Sequence, residues 1–237
     1  LCGMTRAEIE TVFVPELQEL ALQTETNYGE AVEQLTRQYD GYRFTPEKGF
    51  TPMFNPFSVL NALAKSRFGD YWFASGTPTF LVEILKKTNF DLRELDGIEV
   101  SSASLSDDRA NISNPVPMIY QSGYLTIKSF DQRFRTYTLG FPNEEVKYGF
   151  LNFVAPFYTP VASTDTTFYI GKFVHELETG ETEAFLTRLS CFFADFPYEL
   201  NEKTERHYQV VFYLVFKLMG QFTDVEVRSS RGRADAV

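Results

Sequence analysis

A chain of 237 residues, 43% hydrophobic and 23% charged, is long enough to bury a sizeable core and has the composition of a soluble globular protein, which excludes disorder as its default state. Its 32 acidic against 22 basic residues give a formal net charge of −10, a balance that repels polyanions and excludes a nucleic-acid surface spread over the whole chain, although a local basic patch stays open. No apolar run reaches the roughly 20 residues that span a bilayer, and the N-terminus lacks the basic-then-apolar layout of a secretion signal. The expectation is therefore a cytoplasmic protein with no membrane partner, with Cys2 and Cys191 as two reduced thiols rather than a metal-ligand pair and a disulfide between them as the alternative.

The first third alternates helix caps with apolar stripes. Thr5 with Glu8 fits a capping box ahead of Ile9, Val12 and Phe13. Pro15 opens a second helix with Leu17, Leu20 and Ala21 inward, and Ala31, Leu35 and Tyr39 continue the pattern until Asp40-Gly41 breaks it. Asn55-Pro56 places an N-cap before a first-turn proline, with Val59, Leu60 and Leu63 as the stripe. Thr77-Pro78 repeats the device before Phe80, Leu81, Ile84 and Leu85.

The middle changes character. Ile98-Glu99-Val100 reads as a short strand and Ser101 to Ser106 as a polar loop. Tyr124-Leu125-Thr126-Ile127 and Tyr137-Thr138-Leu139 flank a turn at Asp131-Gln132, the pattern of a β-hairpin. Asn143 caps an apolar helix through Val146, Phe150, Phe153 and Val154, and helices near 167–178 and 181–194 meet at Thr179-Gly180. From Thr204 to Met219 runs one long helix whose Val210, Val211, Leu214, Val215 and Leu218 are too many for a single stripe, which predicts packing on more than one side. Gly220 stops it, Val225-Glu226-Val227-Arg228 alternates as a strand, 229–232 form a turn, and Arg233 starts a second strand.

The end of the chain carries the most chemistry. A carboxylate on a helix, another on a strand after a hairpin, and a carboxylate with a lysine on the next strand can gather Mg²⁺ beside a phosphodiester. Hard oxygen ligands suit that ion, which lowers the pKa of bound water and stabilises charge on the leaving oxygen. Glu205 and Asp235 supply two of those parts. Glu205-Arg206-His207-Tyr208-Gln209, then Glu226-Val227-Arg228, then Gly232-Arg233-Ala234-Asp235 resembles the start of a PD-(D/E)XK nuclease domain as found fused to AAA-ATPase-like regions in bacterial proteins. Tyr39-Asp40-Gly41-Tyr42-Arg43-Phe44, Asn55-Pro56-Phe57-Ser58 and Phe73-Ala74-Ser75-Gly76-Thr77-Pro78 are similar to the same family immediately after its ATPase core.

That resemblance implies Asp235 as the strand metal ligand and Glu205 as the helix carboxylate supporting the metal or its water, both with a catalytic role. It implies Mg²⁺ or Mn²⁺ and ATP as cofactors of the parent protein, and DNA as its partner. The family's Glu-x-Lys strand would fall beyond Val237. No segment matches G-x-x-x-x-G-K-[ST], because Gly171-Lys172 is followed by Phe173. No cofactor and neither activity is therefore expected of this stretch by itself. Leu1-Cys2-Gly3-Met4 and Ala236-Val237 both read as cuts through a larger protein.

Plainer readings stand beside these. Glu205 in a first turn complements the helix dipole, and a lone strand Asp such as Asp235 is usually exposed. Arg228, Arg231 and Arg233 suit either phosphate or solvent. Asp40-Gly41 reads as a turn anchored by Tyr42 and Phe44, with Arg43 the residue that could face a neighbouring nucleotide. Asp107-Asp108 reads as a solvated loop and Glu144-Glu145 as a helix N-terminus, without need of a cation. His175 and His207 lack partners at metal-ligand spacing.

The expected fold is α+β and predominantly helical: a helical array with a small β-hairpin, then a long helix and β-hairpin opening a truncated restriction-endonuclease-like domain. The expected organisation is 1–95 following an AAA-like core, 96–198 as a helical middle, and 199–237 as the incomplete nuclease-like start. The alternative is a protein-binding or regulatory helical module of an AAA-like NTPase without nuclease activity. A purely structural helical domain is the third reading.

Overall fold

In a computed structural model the described residues are 3–45, 50–74, 79–88, 90–105, 114–159, 165–194 and 205–220. They build twelve helices, three strands and a 3-10 turn at Leu92–Glu94. Helix dominates, with a small antiparallel sheet, so the α+β expectation holds at that level. Two compact units divide the chain, Leu1–Phe150 and Leu151–Val237. The 95/96 boundary drawn from the sequence falls inside the first unit.

Unit 1 begins with helices α1 (Arg6–Val12), α2 (Val14–Gln23), α3 (Tyr28–Tyr39) and α4 (Pro56–Lys65). The Thr5/Glu8 capping box is present, and Asn27 with Glu30 forms a second before α3. Each box supplies two backbone N–H groups with partners that the helix cannot provide. Ile9, Leu17, Leu20, Val32, Leu35, Tyr39, Phe54, Val59, Ala62 and Leu63 form one core cluster. Leu60, expected inward, is 43% exposed. Ser58 and Ala62 take up the inward face of α4 instead, because small side chains let it approach its neighbours closely.

Two short helices follow, α5 (Tyr71–Ala74) and α6 (Thr79–Lys87), with Leu81 and Leu85 fully buried. Residues 75–78, including Thr77-Pro78, lie outside the described residues. Strand β1 (Ile98–Ser101) leads directly into helix α7 (Ser102–Leu105), where the sequence suggested a loop. The Ser101 hydroxyl accepts from the Ser104 backbone N–H at 3.2 Å and so caps that turn, a habit of Ser that composition alone does not separate from a loop. After helix α8 (Val116–Gln121) come β2 (Thr126–Asp131) and β3 (Thr136–Gly140), the expected hairpin.

The sheet order is β1-β3-β2, all antiparallel, so β2 is an edge strand. Ile127 and Ser129 pair with adjacent residues of β3, which leaves Lys128 as the extra residue of a bulge. Helix α9 (Glu144–Tyr158) starts under its Asn143 cap, whose side-chain oxygen accepts from the Val146 N–H at 3.1 Å.

Unit 2 contains α10 (Thr166–Glu178), α11 (Thr182–Ala194) and α12 (Glu205–Met219). Gly180 joins α10 to α11 at φ +75°, a left-handed turn that favours glycine. Phe173 packs edge-on against Phe185 and Phe192 between these two helices. Buried Glu176 of α10 is tied to Arg188 of α11 at 2.6 Å.

Val210, Val211, Leu214, Val215 and Leu218 of α12 are all buried. At roughly 100° per residue they span about 140°, one broad face rather than two. The second apolar side anticipated for this helix exists as Tyr208, Phe212 and Phe216, but these rings are 38–45% exposed.

Candidate functional site

The expected helix carboxylate, Glu205, is the first residue of α12. It is exposed, and Gln209 one turn later donates to its Oε1 at 3.1 Å. An exposed first-turn carboxylate fits both a supporting carboxylate and a simple partner of the helix dipole. Asp235 lies outside the described residues, as do Glu226, Arg228, Arg231, Arg233 and the pair Asp107-Asp108. Glu205 alone offers one carboxylate to an ion. Among the described residues no three His, Cys, Asp or Glu side chains gather as a metal site. His175 is exposed on α10.

The charged group most altered by folding is one the sequence did not single out alone. Glu145, in the first turn of α9, is completely buried. Its Oε2 accepts from the Ser58 hydroxyl of α4 at 2.6 Å, and its Oε1 from the Trp72 backbone N–H of α5 at 2.8 Å. The Tyr71 N–H also faces it. Glu145 therefore caps α5 from a distance, doing for a four-residue helix what an adjacent Asn or Ser does elsewhere. Burial pushes its carboxyl up to about 7, and nearby Asp70 adds to the rise, while the Ser58 and backbone hydrogen bonds pull against it. The pair Glu144-Glu145 is thus split, with Glu144 half-exposed and Glu145 dry.

The Asp40-Gly41-Tyr42-Arg43-Phe44 segment is docked beside this node. Gly41 has φ +102°, and a Cβ there would lie 2.1 Å from the Pro142 carbonyl oxygen, so only glycine fits. The Asn143 amide donates to the Asp40 carbonyl at 2.9 Å. Tyr42 bridges to Met53 through the backbone, and its hydroxyl donates to the Gly123 carbonyl at 3.3 Å. Arg43 N–H donates to Thr126 Oγ1 at 2.7 Å, and the Thr126 hydroxyl returns to the Arg43 carbonyl at 3.0 Å. The segment is a turn anchored by Tyr42, as expected. Phe44 is 40% exposed and stacks on Tyr42, so it is a weaker anchor than the sequence suggested.

A similar chain exists in Azotobacter chroococcum mcd 1. The protein described there as "Uncharacterized protein in vnfD 5'region" is 30% identical over 243 aligned residues, covering 99% of this chain and 44% of that protein. The chain thus spans less than half the length of that relative. No family model and no solved structure matches it.

Chemically, the two regions differ in what they can do. The Glu145 node is closed to solvent, so its carboxylate can hold backbone N–H groups but cannot reach a substrate. The α12 terminus is open, so Glu205 can take part in chemistry with groups supplied from elsewhere. No described helix is long and apolar enough to cross a membrane. Cys191 is a free, exposed thiol.

Proposed function

We propose that this chain is part of a bacterial metal-dependent DNA nuclease of the PD-(D/E)XK type carrying an AAA-ATPase-like region, with α12 as the opening helix of a restriction-endonuclease-like domain. Glu205 is the helix carboxylate and Asp235 the strand ligand of an Mg²⁺ or Mn²⁺ ion. The ion would supply water activation and leaving-oxygen stabilisation. ATP would bind in the ATPase-like region and DNA at the nuclease domain, and the chain by itself would lack both activities. The observation that carries this reading is the exposed first-turn position of Glu205 on a helix otherwise bound into its unit by a broad apolar face. A carboxylate needed only for the dipole gains a few tenths to about 1 kcal/mol there, whereas a catalytic one requires that open position.

The test is cleavage of duplex DNA by the full-length natural protein with Mg²⁺ or Mn²⁺. Asp235→Ala and Glu205→Ala are expected to lower the rate at least about a hundredfold, in the range of losing a group that stabilises transition-state charge. Cleavage unchanged in Asp235→Ala sinks the assignment, and cleavage by residues 1–237 alone overturns the claim that the site is incomplete there.

A second reading is favoured by one observation. The exposed Tyr208, Phe212 and Phe216, with Phe193 stacked on Phe212 at 5.7 Å, form an apolar strip of the kind that contacts protein. On this reading the chain is a regulatory, protein-binding helical module of an AAA-like NTPase, and the full-length protein does not cut DNA.

A further inference from the structure

Three aromatic residues of α12 lie outside its buried face. Tyr208, Phe212 and Phe216 follow one another at intervals of four residues, so they share one side of the helix over about 12 Å. Their exposure of 38–45% contrasts with Val211 and Leu214, which are fully buried. Phe193, near the end of α11, joins the row. Its ring lies 6.0 Å from that of Tyr208 and 5.7 Å from that of Phe212, and Phe212 lies 4.8 Å from Phe216. The ring planes of the last two contacts differ by only 17° and 19°, so Phe193, Phe212 and Phe216 form one ordered ribbon. Apolar side chains exposed singly are ordinary, whereas a connected row marks a contact surface.

Chemistry and size narrow what can cover the ribbon. In a chain that is 23% charged, no charged residue occurs from Tyr208 to Phe216. A strongly acidic or basic partner finds nothing to pair with along that stretch, so the occupant is apolar. The exposed parts of the three α12 rings amount to roughly 250 Å², since a whole aromatic side chain buries about 200 Å². A stable interface between separate proteins takes about 800 Å² from each partner. A second copy, or an independent protein, gains too little here. A segment of the same polypeptide needs far less, because tethering holds it at an effective concentration on the order of millimolar. The Azotobacter chroococcum mcd 1 relative shows that such length is there to be used, since the matched stretch is 44% of that protein.

We propose that the ribbon of Phe193, Tyr208, Phe212 and Phe216 is an intramolecular docking face, covered in the full-length natural protein by an apolar surface from the part of the polypeptide outside residues 1–237. Which surface covers α12 does not depend on what Glu205 does, so the docking face stands or falls apart from the nuclease reading.

Hydroxyl-radical footprinting, resolved residue by residue by mass spectrometry at equal radical dose, tests this without any substitution. In residues 1–237, Phe212 and Phe216 should oxidise well above fully buried Phe173 and toward the rate of exposed Phe134. In the full-length natural protein, at a concentration where sedimentation shows a monomer, both should fall to the Phe173 rate. Phe216→Ser in that monomer should then raise Phe212 oxidation severalfold, and no change would show that these rings do not hold the cover. Equal rates in the full-length monomer and in residues 1–237 overturn the proposal and return the ribbon to a separate protein partner. Protection that appears only as the full-length protein dimerises overturns it in favour of a second copy. Protection already present in residues 1–237 overturns it as well, because the rings are then covered without the remainder.

Discussion

The two units keep their helices in place by different means. In unit 1 the short elements are tied by side chains reaching far along the sequence. Glu145 holds Ser58 and Trp72, Asn143 holds Asp40, and Thr126 holds Arg43. In unit 2 the three long helices α10–α12 present apolar faces to their neighbours, with Glu176–Arg188 as a charged link. Helices of 13 and 15 residues carry enough apolar surface to pack without such ties. A helix of four residues does not. The lesson is that a recognisable motif means different things in the two places. Asp40-Gly41-Tyr42-Arg43 looks functional yet spends most of its groups on docking, whereas Tyr208, Phe212 and Phe216 of α12 contact other rings and still keep 38–45% of their surface exposed.

The comparison breaks most severely at Gly41. Gly41→Ala places a methyl group against the Pro142 carbonyl and forces an L residue to φ +102°. It is expected to destabilise unit 1 by more than about 3 kcal/mol, read in urea as an early loss of Trp72 fluorescence. An unchanged midpoint would mean that the loop is not docked as described.

Glu145 comes next and sharpens the contrast through pH. Its folded carboxyl titrates at about 7 against an ordinary 4.5, because burial penalises the charged form. The folded state thus holds this proton more tightly than the unfolded chain. Its contribution to stability is full below about pH 4.5, declines as pH rises toward 7, and is flat above that, a loss of up to about 3 kcal/mol. Glu145→Gln stays neutral, can accept from Trp72 and can donate to Ser58. The variant is expected to be the more stable protein at pH 8 and to converge with the unmodified protein near pH 4.5. Parallel stability curves for the two would show that the buried carboxylate is not the titrating group.

The smallest effect is expected in unit 2. Phe212→Ser and Phe216→Ser remove rings already 45% and 38% exposed, so each should shift unfolding by about 1 kcal/mol or less. Leu214→Ala on the buried face should cost roughly 2–5 kcal/mol. Equal losses from the two faces would mean that the strip is covered in the folded protein.

Much of the fold was legible in the sequence because it is written locally. Capping boxes, the Asn55-Pro56 start, the Gly180 turn and the β2–β3 hairpin each depend on residues within a few positions of one another. What was not legible depends on distant partners. Nothing near Glu145 shows that it lies dry, since Ser58 and Trp72 are 87 and 73 residues away. The exposure of Leu60 follows from which neighbours α4 meets, which periodicity cannot say. For the candidate nuclease site the sequence offered Glu205 and Asp235 by resemblance, and only the first falls where its surroundings are described. No local signal separates Glu145 from Glu144, since both are acidic residues in the first turn of the same apolar helix.

The distant capping of α5 also bears on how the chain folds. Four residues cannot nucleate a helix by themselves, so Tyr71–Ala74 has to wait until α9 has delivered Glu145. Trp72, the single tryptophan of the chain, packs edge-on against Phe73 of the same short helix and against Tyr124, which lies between α8 and β2. Its emission therefore reports the long-range closure that joins Trp72 to Glu145 and Tyr124.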